Sequence, residues 1–376
     1  MAAFAALIVL TSNGCRSRAP VRTQEKVGPA GVGRVVTPAN QILTPAGIQV
    51  ELPGMRPQAV ALSPDAQLLV TSGKTHELIV IDPAGGNILQ RVPLPSDEAH
   101  EPGPDVVSSH ILEPDKEGQL SYTGLIFSPD GSRIFLSNVN GSIKVFSVDS
   151  RRKISTLFSI PLPEAGAPGR KEEIPSGLAI SRDGKRLYAA LNLSNRLAEL
   201  DASNGNVLRL FDVGVAPFDV VLAGSKAYVS NWGGRRPEAD SVTGPAGRGT
   251  RVRVDPVRFI ANEGTVSVID LATGKVLREI RVGLHSSALA LAPNGRHSVV
   301  ANAGSDTVSV IDARTDNVVE TISLKWHAGD LFGASPNALA FDKTGRTLFV
   351  CNGTQNAVAV VSFHPGKSKQ IGRAHV

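Results

Sequence analysis

Residues 264–283 read GTVSVIDLATGKVLREIRVG, and this stretch decides the fold. Val266, Val268 and Asp270 alternate with Ser267 and Ile269, the period-two pattern of a β-strand. Thr273 and Gly274 supply a tight turn, and Val276, Leu277 and Ile280 begin a second strand. The phrase returns at residues 306–324 as DTVSVIDARTDNVVETISL. It returns with more drift at 77–94, 142–162 and 196–213. A unit recurring every 40 or so residues sets the architecture before any single residue does.

Ahead of each such pair lies another. Six apolar openings begin at Arg56, Ser121, Ile174, Ala216, His285 and Ser335. Each runs through a turn into a second strand, and these end at Ser72, Asn138, Asn192, Asn231, Asn302 and Asn352. Asp130-Gly131, Asp183-Gly184 and Asn294-Gly295 are two-residue hairpin signals, because both central residues must accept positive φ. The recurring Asn reads as a turn residue whose side chain bonds backbone. Four antiparallel strands per repeat make a propeller blade. The chain is thus expected to be all-β, a β-propeller with six repeats present, a truncated form of a seven-bladed ring.

The totals agree. Gly 37, Pro 25 and 5% aromatic residues suit many short strands and turns. A net charge of +5, spread along the chain, gives no patch for nucleic acid. Two cysteines, Cys15 and Cys351, make no disulfide framework, and Cys351 reads as a buried inert thiol. Residues 1–15 read as a signal or lipoprotein-type leader, with Cys15 as the lipidation candidate. That predicts a bacterial periplasmic or cell-surface protein, with a membrane tether through Cys15. Residues 16–46 read as a tether, rich in Pro, Gly and Thr, and 47–370 as the propeller. The final IGRAHV, residues 371–376, is the translation of a common sequencing adapter and reads as an artefact. The sixth unit then lacks an outer strand after VAVVSF. Alternatively, GIQVELP at 47–53 supplies that strand and closes a six-bladed ring.

AYVSN, SVVAN and LFVCN, followed by TVSVID, resemble the YVTN family of bacterial β-propellers across roughly residues 47–370. RPQAVALSPD and the later SNWGG…VRVDPVRFIANEGTVSVID are similar to the N-terminal propeller of secreted propeller–phosphoesterase proteins. That resemblance implies a missing C-terminal domain, which would carry any phosphoesterase metal ligands and nucleophile.

Insertions fall at 95–120, 163–173, 232–263 and 326–334. In an up-and-down blade, all four emerge on one face, the arrangement of a binding surface. The insertion at 232–263 carries Trp232, Arg235, Arg236, Arg251, Arg253 and Arg258. Guanidinium forks suit a phosphate or carboxylate, so an unknown small anionic ligand is one candidate partner. The same arginines equally suit a solvated loop, or one that docks on the protein's own missing domain. Gln58, Thr123, Ser176, Phe218, Ser287 and Asn337 open the inner strands and should ring the channel, lining a polar pocket or a column of water. No metal cluster, cofactor motif or catalytic triad is legible. The expected function is therefore an extracytoplasmic module for ligand binding or protein interaction, not catalytic by itself. The alternatives are a propeller-type hydrolase such as a lactonase, with Asp219 the one channel carboxylate, or a surface adhesive protein.

Overall fold

A computed structural model describes residues 26–38, 41–53, 55–73, 75–95, 120–246, 250–325 and 333–375, with backbone alone at 120–123. The chain divides into two compact units, 1–45 and 46–376. The larger holds six antiparallel four-stranded sheets, here blades 1 to 6: residues 57–93, 120–161, 175–212, 217–282, 286–323 and 336–375. Within each, strands pair in chain order, and the first strands of successive blades pack on one another. Order along the sequence is therefore order from the centre outward.

The repeated phrase explains this arrangement. In blade 4, Val266, Ser267 and Val268 of strand 3 are all fully buried, because both faces of a blade are covered by neighbours. Each such aliphatic side chain contributes about 1.5–3 kcal/mol of burial. Asp270 then ends the strand by accepting the backbone N–H groups of Ala272 (2.8 Å) and Thr273 (3.1 Å), which fixes the turn. Strand 4, Lys275–Val282, is mostly exposed. In all six blades it carries a β-bulge against strand 3 at the same place.

Two expectations need correction. The chain carries seven blades, not six: a three-stranded antiparallel sheet, Gly28–Pro29, Val35–Val36 and Ile42–Leu43, lies in the stretch read as a tether. The ring is therefore not a seven-bladed one cut to six repeats. The sixth unit also has its outer strand, Lys369–His375, paired to Ala357–Ser362 and including most of the hexapeptide read as an artefact. Residues 47–53 form no strand. Instead the Ala46 N–H donates to the His375 carbonyl at 3.1 Å, while Ile48 and Val50 lie against Gly86 in blade 1.

The recurring Asn behaves as expected in blades 2 and 3, where Asn138 Oδ1 accepts the Asn140 N–H and Asn192 Nδ2 donates to the Pro217 carbonyl. Later blades differ. Asn231 Nδ2 donates to Thr265 Oγ1 (3.1 Å) and Ser267 Oγ (2.8 Å), and Asn302 to Thr307 and Ser309, side chains of the TVS phrase itself. The amide thus clamps strand 2 to strand 3.

Hydroxyls tie the blades together. Ser137 and Ser176 donate to the carbonyls of Ser176 and Pro217, and Ser230 and Ser287 to those of Ser287 and Pro336, each one blade further on. Between blades 4 and 5 a carboxylate joins in. Asp219 Oδ2 accepts the Leu289 N–H at 2.8 Å, and Oδ1 accepts that of Val220 at 2.9 Å. A side chain on Gly177 would strike it, with Cβ 2.2 Å from Oδ1, so blade 3 makes room by carrying glycine there.

Candidate functional site

The insertion of blade 4 starts where strand 2 ends, at Asn231. Trp232 and Gly233 keep pairing, donating to the carbonyls of Ala216 and Val215 at 3.0 and 2.9 Å. Gly234 then takes a φ of 74°, where a Cβ would sit 2.5 Å from Glu263 Cγ. Only glycine fits this turn over the Glu263 carboxylate.

Glu263, absent from the sequence-derived candidates, organises the arginines. Its carboxylate accepts from Arg235 Nε (3.1 Å) and Nη2 (3.0 Å), with Arg253 and Arg281 at 3.7 and 3.9 Å. Arg236 donates to the Val213 carbonyl at 2.7 Å and pairs with Asp212 at 3.0 Å. Arg253 pairs with Glu238 at 3.0 Å. Arg251 holds Thr243 across a small ribbon, Thr243–Pro245 with Arg251–Arg253, seated on Val215, Val252 and Val254. Four of the five candidate arginines are thus committed, Arg235, Arg251 and Arg253 within the loop and Arg236 to blade 3. They brace it instead of forming a convergent anion cradle.

Arg258 is the fifth, and it points outward. It sits on the tip of the insertion, residues 255–260. Asp255 Oδ1 accepts the N–H groups of Val257 (2.9 Å) and Arg258 (2.7 Å), and these bonds hold its carboxyl below the usual range. The Asp255 N–H donates to the Ile260 carbonyl, that of Phe259 to Asp255, and Val254 bridges Ala261. Phe259 is pinned at a φ of 54°, a costly conformation for an aromatic residue. What this braced turn presents is apolar: Val257, Phe259 and Ile260 are 82%, 69% and 52% exposed.

Nearer the channel, Trp232 is half exposed, its ring 5.1 Å from His285 and 6.5 Å from Phe218. Burial pushes the His285 imidazole down from its ordinary value, favouring the neutral form. The other proposed rim residues do not converge. Ser176 and Ser287 are buried and spent on the next blade, whereas Gln58 and Asn337 are exposed. Cys351 is half-buried, and burial raises its thiol. The Thr123 side chain, Arg248, Cys15 and most of the 95–120 and 326–334 insertions lie outside the described residues.

Two further junctions meet strand 2–3 turns. Glu173, at the end of one junction, accepts the N–H groups of Leu193 and Ser194 from a strand 2–3 turn. Asp306, in another such turn, accepts those of Gly333, Ala334 and Ser335 from the next junction. No sequence signal separates these carboxylates from solvated ones. What identifies them is burial.

Six concentric antiparallel sheets with one decorated face define a propeller. The family model described as "Cytochrome D1 heme domain" matches residues 255–371. Among solved structures, hydrazine synthase of Kuenenia stuttgartiensis superposes with a TM-score of 0.58 at 17% identity, over 84% of this chain and 79% of that one. No curated protein matches. The chain is therefore a β-propeller related in fold to these two.

A haem would need an imidazole or thiolate facing an open slot. His285 packs on Trp232, and His297 is buried against Phe363 with ring centroids 6.2 Å apart. The lining of an interblade cavity of about 670 Å³ contains no His, Cys or Met. Among the described residues, no three His, Cys, Asp or Glu side chains converge as metal ligands. Neither these two imidazoles nor that cavity fits a haem.

Proposed function

We infer that the chain is the binding propeller of an extracytoplasmic protein of YVTN type, and that its contact element is the tip of the blade 4 insertion. Its partner on this reading is an adjoining phosphoesterase-type domain. The observation that carries it is the 255–260 turn, which holds three apolar side chains in water on a rigid support. Ordering that turn in advance lowers the entropic cost of binding, and a desolvated aromatic anchor beside an arginine is typical of an interface hot spot. A free-anion reading is narrower, since Arg258, itself 3.9 Å from Asp255, is the one candidate arginine with no closer partner among the described residues. The lactonase-type alternative rests on Asp219, whose oxygens already accept two backbone N–H groups.

Calorimetry tests this, with the chain titrated against a separately produced phosphoesterase-type domain from the same reading frame. Phe259→Ser and Val257→Asp are each expected to weaken binding at least tenfold. Equal affinity for wild type and both variants, or no binding at all, removes this reading.

A further inference from the structure

On the face opposite the long loops, successive blades are bridged at their outer edge by polar side chains. The strand 4 residue just past the bulge usually does this. Gln90 of blade 1 accepts the Ile154 N–H of blade 2 at 3.0 Å. Arg209 of blade 3 donates to the Leu271 carbonyl of blade 4 at 2.6 Å. Glu320 of blade 5 accepts the N–H groups of Gly366 and Ser368 of blade 6 at 3.0 and 2.7 Å. Between blades 4 and 5 a strand 2 residue takes over, Tyr228, whose hydroxyl reaches Asp316 at 2.5 Å.

Blade 2 breaks the rule at both positions. Where the others carry Gln90, Arg209 or Glu320 it has Phe158, and where blades 3 and 4 have Tyr188 and Tyr228 it has Phe135. Both phenyl rings are buried in an apolar cluster shared with blade 3, and neither offers a polar group at the edge. Among the described residues Arg133 spans this edge, to the Ala202 carbonyl at 3.0 Å, and Ser137 bonds to blade 3 elsewhere in the interface. What remains is the cavity of about 670 Å³, within the size range of small-molecule sites. Its floor is Leu157 over Phe135 and Phe158, and its walls are the strand 1–2 turns of the two blades, with Asp201 and Ser203.

The wall chemistry has a sign. Asp130, Asp183 and Asp201 each accept a serine hydroxyl at 2.5 Å and at least one backbone N–H. Arg186 lies between Glu199 and Asp201 at 3.6 and 3.5 Å. Arg182 is exposed and has no partner among the described residues. Lys185 is exposed beside Asp183, whose Oδ1 already accepts Ser181 Oγ and the Lys185 N–H. The unspent donors are therefore cationic, above an apolar floor.

We propose that the groove between blades 2 and 3 binds a small amphipathic organic anion, its apolar body over Leu157 and its carboxylate or comparable head at Arg182 and Lys185. This site is on the other face from the blade 4 tip and stands independently of the function proposed above. The probe is 8-anilinonaphthalene-1-sulfonate, followed by fluorescence against the folded chain. Saturable one-to-one binding is expected, weakened at least tenfold by Arg182→Glu with Lys185→Glu. Leu157→Trp, which fills the floor from a half-buried position, is expected to abolish it. Phe259→Ser should leave it unchanged. Unsaturable binding, or equal affinity in the charge-reversed chain with an unaltered circular dichroism spectrum, overturns the proposal. So does equal affinity for the uncharged N-phenyl-1-naphthylamine.

Discussion

Blades 4 and 5 meet through a lock, and blades 2 and 3 meet across a gap. At the first interface Tyr228 and Lys226 reach Asp316 at 2.5 and 2.7 Å, and Asp219 takes a backbone N–H from blade 5. At the second, Phe135 takes the place of Tyr228 and Arg133 that of Lys226, and the arginine is the side chain that crosses at this edge among the described residues. The backbone plan is the same in both. One position per blade, Tyr228 in blade 4 and Phe135 in blade 2, therefore separates a polar lock from an apolar contact, with no change of fold.

Removing the lock should have the largest effect. Tyr228→Ala deletes a fully buried ring and its bond to Asp316, and is expected to cost about 3–5 kcal/mol in urea unfolding. A loss under about 1 kcal/mol would mean that the lock carries no load. The second effect depends on pH. Burial pushes the Asp219 carboxyl up to about 7, so the folded chain keeps a proton that the unfolded chain has released. Its contribution to stability therefore falls as pH rises from about 4 to about 7. Asp219→Asn should flatten that part of the stability profile, measured as urea midpoint against pH. An unchanged slope would show that Asp219 does not titrate there. The smallest effect belongs to the gap. Leu157→Ala should cost about 1 kcal/mol or less, because the side chain is only partly buried and lines the groove. A cost comparable to that of Tyr228→Ala would contradict the open groove.

Most of the blade grammar was legible because it is local. Alternation in TVSVID, Asp-Gly turns and the position of the 232–263 insertion all follow from spacing within some twenty residues. The N-terminal blade escaped because its strands are two residues long, too short to show a period. The last outer strand, KQIGRAH, escaped because an exposed strand is held by its backbone pairing and not by an apolar pattern. The site was half legible. The arginines of the insertion could be named, but their commitment to Glu263 and Asp212 is a fact of three dimensions. The exposed Val257, Phe259 and Ile260 resemble any core strand until their surroundings are known. Asp219, Glu173 and Asp306 were hidden for the opposite reason: nothing in a sequence distinguishes a carboxylate bonded to backbone from one in water.

The serine bonds between blades bear on how such a chain can be duplicated or rebuilt. Ser137, Ser176, Ser230 and Ser287 each find an acceptor in the following sheet. A blade cut out at its own four strands would leave the hydroxyl behind it with nothing to bond and take a carbonyl away from its neighbour. Ser137 and Ser230, on second strands, keep their acceptors in a unit offset from the visible sheet: strands 2 to 4 together with the first strand of the next. A gene that gained or lost blades would be expected to break within a sheet, after its first strand, and not at the long loops where the eye would place the seam.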